Sequence, residues 1–345
     1  MIPQCYSSSS RVTLVLGNMA CDLDSGVCSL VLAYHRSLTS DALVLPVLNI
    51  PRQDYPLKTE LVEALQSQGV AESDLVFRSD LEMSKISNLQ LILVDHNILS
   101  DEDHDYEDKV TEVIDHHKKE TRCENAVIEM VGSCSSLVLR QILKENPGFT
   151  DTTSLKLIHS TILIDTVLLD PDAKKVTDVD IEMVEKCEKL IGDVDRKEVF
   201  DKLNEAKRKV DHLNAKQLLR RDFKTLRTRE SKNVCLSSVP MLAESWSLLE
   251  SVDHHVQSFM SDGDFSLVMV LGSYFGDDTK KRDFIIIGED SLTQVVIQAL
   301  ESSTDPELKL SKYENLMNKD FHGFSQGNVA ASRKQIMPIA KSVLI

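Results

Sequence analysis

At 345 residues the chain is long enough for about two domains, and its 42% hydrophobic content supports packed cores rather than wholesale disorder. Its 39 Lys and Arg against 55 Asp and Glu give a net charge of −16, which repels phosphate backbones at long range and disfavours general nucleic-acid coating. It leaves room for a phosphate substrate, because a local site can carry its own metal ions and cationic side chains.

The start, Met1 to Arg11, is Ser-rich and lacks the apolar core of a signal peptide. Val12–Leu16 is a short apolar run predicted to be the first strand. Gly17 follows, then a helical pattern through Val27, Leu30, Val31 and Tyr34. Ala42–Ile50 is the second strand, closed by Pro51; Leu57–Gln68 reads as a helix and Leu75–Phe77 as a brief third strand. Leu89–Val94 and Val110–Ile114 are two further strands. Continuous apolar runs suit strands covered on both faces by helices, a doubly wound parallel sheet.

Helices are predicted at Ser133–Glu145, opened by a Ser cap, and from Thr152 to about Thr166. Asp180–Lys224 is charged and helical with no strand signal, and contains the expected domain junction near Lys207–His212. Beyond it, Val234–Ser238, Phe265–Leu271 and Phe284–Ile287 are predicted strands, with helices at Leu242–Met260 and Ser291–Glu301. Gly276–Arg282 reads as a solvated hairpin connection. The expected division is 1–206 and 207–345, the second domain smaller and also of mixed α and β type. No apolar run approaches the roughly 20 residues of a membrane span. The seven cysteines (Cys5, Cys21, Cys28, Cys123, Cys134, Cys187, Cys235) are odd in number and form no CxxC, which disfavours a disulfide scaffold or a structural zinc site. A soluble protein of a reducing compartment is expected.

The acidic residues fall where a parallel sheet binds ligands, beyond the carboxyl ends of its strands. The first strand runs into Gly17-Asn18-Met19-Ala20-Cys21-Asp22-Leu23-Asp24, the fourth into Asp95-His96-Asn97, and the fifth into Asp115-His116-His117-Lys118. An otherwise apolar helix carries Asp165. Each alone has a bland reading: a DxD is more often a helix cap, a strand-end Asp a turn residue, a helical Asp a satisfied buried acid. Together they are different, because several carboxylates delivered to one edge would each cost several kcal/mol to bury unpaired. Divalent cations answer that cost, and carboxylates with one or two imidazoles suit manganese or magnesium.

The order DLDS, DHN, DHH and then a helical Asp resembles the DHH phosphoesterase superfamily, and Ala331-Ser332-Arg333-Lys334-Gln335 resembles the SRK motif of its DHHA2 domain. With LPVLNIPR at Leu45–Arg52 and VGSCSSLV at Val131–Val138, the similarity is strongest to the Prune branch, which is related to family II inorganic pyrophosphatases. The resemblance runs from about Val12 to Pro338. It implies an N-terminal parallel-sheet DHH domain and a smaller C-terminal α/β DHHA2 domain, with the active site in the cleft between them. It also implies two divalent metal ions, Mn2+ or Mg2+. Asp22 and Asp95 would hold one and Asp24, Asp95, His116 and Asp165 the other, with Asp95 bridging. Asp95 and His117 would be the catalytic pair; His117, Lys224, Arg333 and Lys334 would grip phosphate. A water shared by two such ions is deprotonated near neutral pH and attacks phosphorus in line.

The activity so implied is hydrolysis of phosphoanhydride bonds in short polyphosphates, with pyrophosphate as a further substrate. The alternatives are a cyclic-nucleotide or oligonucleotide phosphodiesterase, and a scaffold with weak activity. The resemblance further implies a cytoplasmic or also nuclear location, a nucleoside diphosphate kinase-type protein partner and a homodimer. One departure stands out: Asn18 occupies a position where the pyrophosphatases place a His, and its amide oxygen is expected to be a weaker metal ligand.

Other signals take the bland reading. Asp253-His254-His255 is a second DHH, but inside a helical stretch. His96 is as compatible with packing as with support of the site, and Cys21 is read as a packing residue. Asp101–Lys109 is read as a solvated acidic loop, and Lys118 and Lys119 either steer anions or offset that loop.

Overall fold

The computed structural model describes residues 11–275, 279–314 and 316–345. Its internal contacts divide the chain between Lys209 and Val210.

The first unit is built on five parallel strands: β1 (Val12–Leu16), β2 (Leu43–Val47), β3 (Leu89–Val94), β4 (Val110–Asp115) and β5 (Ala126–Ile128), in the order β2-β1-β3-β4-β5. Six helices accompany them: α1 (Leu23–Ser37), α2 (Thr59–Ser67), α3 (Cys134–Glu145), α4 (Thr152–Asp165), α5 (Asp178–Ile191) and α6 (Arg196–Arg208). Because strand side chains alternate, each strand feeds two cores. Val15, Ile92 and Val94 pack with residues of all six helices. Val12, Leu14, Leu16, Leu89, Leu91 and Leu93 face the other way, onto Val76, Leu81, Met83, Ile86 and Leu99.

That second face is covered by single 3₁₀ turns at Glu72–Asp74, Arg78–Asp80 and Met83–Lys85, where a second helical layer was expected. The runs between turn residues there are too short to nucleate an α-helix. Leu75–Phe77 is likewise no strand. Only Phe77 forms an isolated parallel bridge to Leu48, since the chain turns into 3₁₀ geometry at Arg78. The acidic segment Asp101–Lys109 is also 3₁₀ and not wholly solvated, because Asp103 is buried and paired with Arg78 at 2.6 Å.

The second unit holds a six-stranded mixed sheet in the order β10-β11-β9-β8-β7-β6. Its elements are α7 (Ala215–Arg221), β6 (Phe223–Arg227), β7 (Asn233–Val239), α8 (Ala243–Trp246), α9 (Val252–Asp262), β8 (Phe265–Phe275), β9 (Lys280–Gly288), α10 (Asp290–Ser302), β10 (Leu310–Lys312), β11 (His322–Gln326) and α11 (Arg333–Leu344). β7 and β8 are parallel and the remaining pairs antiparallel.

Three expectations are corrected here. β6 begins within the last two residues of the stretch read as wholly helical and runs beyond it; it is an exposed edge strand carrying Lys224 and Arg227, and charge of that kind protects an edge while erasing the apolar signal. The single helix expected at Leu242–Met260 is two, broken where Ser251 takes a left-handed φ of 55°. Lys280–Arg282 belong to β9 rather than to a loop, and residues 276–278 lie outside the described residues. No helix among the described residues is long and apolar enough to cross a membrane.

Candidate active site

In a parallel sheet of order 2-1-3-4-5, successive connections leave β1 and β3 in opposite directions, which opens a crevice at their carboxyl ends. β1 ends at Leu16 and β3 at Val94, so the DLDS and DHN motifs emerge side by side. The turn after β1 needs Gly17, where a Cβ would lie 2.3 Å from Ser25 Oγ. Asn18 then reaches across the switch point and donates from Nδ2 to Asp95 Oδ2 at 2.7 Å.

The orientation of that amide follows from its other partners. Asn18 Oδ1 accepts from the backbone N–H groups of Ala20 and Cys21, at 2.9 and 3.0 Å, and those groups can only donate. The amide oxygen is therefore committed to the backbone, and the expected role for it as a weak metal ligand is corrected. What Asn18 presents to the site is an N–H that holds Asp95.

Asp95 is 3% exposed, adopts a left-handed φ of 60°, and anchors its own N–H on Ile114 O. Non-glycine residues enter that region at a cost of roughly 1–2 kcal/mol, and such strain concentrates at functional sites. His116 Nε2 lies 3.2 Å from Asp95 Oδ1, while its Nδ1 donates to Val131 O at 3.0 Å. That fixes the tautomer in which Nε2 faces the carboxylates, the usual arrangement for a ligating imidazole. Asp95, His116 and His117 present ligand atoms all within 4.8 Å of one another.

The remaining acids join electrostatically. Burial first, and then Asp24 and Asp22, push the Asp95 carboxyl well above its usual value. Burial, Asp24, Asp22 and Asp95 do the same to Asp165, whose Oδ2 is buried with no hydrogen-bond partner. Asp22 is solvent-exposed; partial desolvation and then Asp24 raise its carboxyl, and its Oδ1 caps α1 by accepting from Ser25 N. Asp22 thus fills the bland role as well as standing in the acidic cluster.

Asp24 is 4% exposed and sits on the N-terminus of α3. Its Oδ1 accepts from Ser135 N, Ser135 Oγ and Ser133 Oγ, and its Oδ2 accepts from Cys134 N. Ser133 occupies the cap position expected for it, but its hydroxyl donates to Asp24 instead of accepting from the helix.

This donor set fits divalent cations. It combines an orphaned buried carboxylate oxygen, mutually repelling acids and an imidazole whose Nε2 is turned to Asp95, and it offers no available thiolate. Cys21 is buried and pushed up to about 12, and Cys28 is well above its usual value and turned toward Asp24, so neither is a reactive group.

The pH dependence of the metal-free protein follows with a definite sign. Asp165 folds with its carboxyl above the ordinary 3.8, so stability from this group is fullest below 3.8 and is lost as pH rises through the folded value. His116, raised to about 10 mainly by Asp95 and Asp24 against the cost of burial, adds stability that is full below 6.5 and disappears as pH rises through about 10. Asp165→Asn is therefore expected to raise the melting temperature of the metal-free protein near neutral pH by about 2–4 °C. It is also expected to remove most of the gain that Mn2+ gives the wild type; thermal unfolding with and without chelator checks both.

His117 is 59% exposed and aimed by Asp115, whose Oδ1 accepts from His117 Nδ1 at 2.8 Å and from His116 N. Asp115 is fully buried, and these hydrogen bonds with that from Asn97 hold its carboxyl below the usual value despite burial. Sequence reading quoted Asp115 and Asn97 inside their motifs but gave them no role, since only the fold shows which strand-end polar group faces inward. Asp115→Asn is expected to lower kcat/KM about 10-fold by releasing the His117 ring while the protein stays folded, as steady-state kinetics with a melting curve would show.

His96 turns its Nδ1 to Val94 O and belongs to the packing around the site, and Asp253-His254-His255 lies on α9 as expected of a decoy.

In the second unit, β6 alternates so that Lys224 shares a face with Leu226, which packs on the core that includes Ile336, Ala340 and Leu344 of α11. Phe223 points to the opposite face, against Phe259 and Phe265. Ser332 caps α11 in a capping box with Gln335, which places Arg333 and Lys334 in its first turn. Arg333 donates to Asp222 O and Asp222 Oδ1, at 3.0 and 2.8 Å, leaving guanidinium donors unused. Arg333 and Lys334 thus stand in the first turn of a helix, where backbone N–H groups favour an anion, and Lys224 lies on the face of β6 that carries Leu226. Asp222 is a further residue that sequence reading missed.

Comparisons with known proteins identify the family of both units. Residues 12–162 match the DHH family, N-terminal domain, and residues 201–343 match the DHHA2 domain. Exopolyphosphatase PRUNE1 of Rattus norvegicus is 35% identical over 348 residues, covering 97% of this chain and 76% of that protein. The Homo sapiens protein of the same name is 34% identical with the same coverage. A crystal structure described as a putative family II inorganic pyrophosphatase of Methanococcus jannaschii superimposes with a TM-score of 0.62 at 20% identity, covering 96% of this chain and 99% of that one, a likeness of fold.

Proposed function

The chain belongs to the Prune branch of the DHH–DHHA2 phosphoesterases, and from that membership we propose that it is an exopolyphosphatase cleaving the terminal phosphoanhydride bond of short inorganic polyphosphates. The observation that carries the reading is the acidic cluster at the β1/β3 switch point, with its orphaned Asp165 Oδ2 and a His116 whose Nε2 faces Asp95.

Asp22, Asp24, Asp95, His116 and Asp165 would hold divalent cations, Mn2+ or Mg2+. Bound there, such ions supply an activated water and neutralise charge on the phosphoryl group. Asn18 and His116 fix the Asp95 carboxylate from two sides, so it does not swing as charge develops. His117, its Nδ1 held by Asp115, turns Nε2 outward to donate to a phosphate oxygen or to pass a proton to the departing phosphate. Lys224, Arg333 and Lys334 hold the phosphate oxygens of the chain and offset their charge. The Asn18 oxygen is committed elsewhere, so a cation held by Asp22 and Asp95 would have few protein ligands, would bind loosely and would tolerate replacement by magnesium.

The experiment is phosphate release from triphosphate, tetraphosphate and pyrophosphate with Mg2+ or Mn2+. Release from tri- and tetraphosphate above pyrophosphate is expected. If none of the three yields phosphate while a cyclic nucleotide is opened, the proposal fails and the phosphodiesterase reading replaces it.

A further inference from the structure

The segment Val131–Ser136 bonds both His116 and Asp24 of the acidic site, and it is tied down by one residue with no role so far, Asp180. Resting on the metal-site reading above, we infer that Asp180 is a positioning residue for that centre, setting the geometry of His116 and Asp24 through this strap.

On one side the strap makes the contacts already described. Val131 O receives His116 Nδ1–H, and Ser133, Cys134 and Ser135 supply four donors to Asp24. On the other side it meets Asp180, which is 0% exposed. Asp180 Oδ2 accepts from Gly132 N at 2.8 Å, and Oδ1 accepts from Ser133 N at 3.3 Å and Ser136 Oγ at 2.6 Å. The strap thus lies between two buried carboxylates, Asp24 and Asp180, each holding donors at the start of α3.

The bland reading of Asp180 is a capping-box acid of α5, and it does accept from Thr177 N and Thr177 Oγ1. A capping box needs only the local pair. Here three of the five donors come from the strap, some 45 residues earlier in the chain, and the side chain is fully buried among them.

Gly132 shows how tightly the junction is drawn. A Cβ there would lie 2.8 Å from Asp180 Oδ2 and 2.6 Å from Thr166 Cγ2, the residue after Asp165. The clamp therefore also abuts the end of α4 that carries Asp165. A carboxylate is required at 180 because both its oxygens face donors; an amide would turn its NH2 toward N–H or O–H groups on one side.

The test is calorimetric titration of the chelator-stripped full chain with Mn2+, alongside a melting curve. Asp180→Asn is expected to weaken Mn2+ binding about 10–100-fold. Thr177→Val removes the hydroxyl, one of the two helix-side donors to Asp180, and is expected to lower the melting temperature with Mn2+ affinity unchanged. Equal affinity in wild type and Asp180→Asn, with both variants merely less stable, would overturn the positioning role and leave a cap. If Asp180→Asn does not fold, Ser136→Ala carries the test, with a loss of about 2–10-fold expected and unchanged affinity overturning the idea. Absence of Mn2+ binding by the wild type would refute the metal centre and this role together. Metal binding without polyphosphate hydrolysis would refute only the substrate.

Discussion

Asp95→Ala is expected to abolish phosphate release, with a fall in kcat of about 10³-fold or more. Asp95 is the one carboxylate that both neighbouring motifs converge on: Asn18 of the turn after β1 donates to it, and His116 of the turn after β4 lies against it. Removing it deprives Asn18 Nδ2 and His116 Nε2 of their carboxylate partner and, on the proposed metal site, would take away a cation ligand. The backbone at position 95 sits at a left-handed φ that alanine tolerates no better than aspartate, so the substitution relieves burial of charge without relaxing the turn. Folding should therefore survive, and a melting curve beside the rate assay separates the two effects. Turnover persisting in Asp95→Ala would sink the assignment of the acidic cluster as the reacting centre.

The second large effect is expected at Arg333. Arg333→Ala should raise KM for tri- and tetraphosphate about 10–100-fold, the range that follows from losing about 1.5–3 kcal/mol, one charge-assisted hydrogen bond. Mn2+ affinity should stay at the wild-type value, since every acid of the cluster lies in the first unit. Arg333→Lys should restore little, because Asp222 grips a planar fork and a lysine ammonium cannot hold Asp222 and phosphate in the same geometry. Steady-state kinetics with a parallel metal titration read both quantities. Unchanged KM would show that this guanidinium only packs against Asp222.

Much of the site was legible because its residues sit at strand ends. Leu16 and Val94 each close an apolar run, and a polar cluster follows at once; in a parallel sheet that placement delivers Asp22, Asp24 and Asp95 to one edge whatever the loop details. The continuous apolar run Val12–Leu16 likewise foretold a strand buried on both faces, and the structure divides it between two cores. What covers the second face was not legible, because single 3₁₀ turns have no periodicity to detect. The strands β6 and β11 escaped for a related reason: FKTLR and HGFSQ owe their pairing to neighbours rather than to an apolar pattern of their own.

The amino-acid order alone thus determined the kinds of chemistry present and the edge on which the acids gather, since period-two burial and strand-end position are local properties. Only the tertiary structure decided how each polar group is used. Asn18 turns its oxygen to Ala20 and Cys21 and its N–H to Asp95, Ser133 serves Asp24 rather than its own helix, and Asp180 reaches from α5 to the strap that frames the site. The physical reason is that a hydrogen bond joins whatever donors and acceptors folding brings within about 3 Å. Partners tens of residues apart leave no spacing to read along the chain.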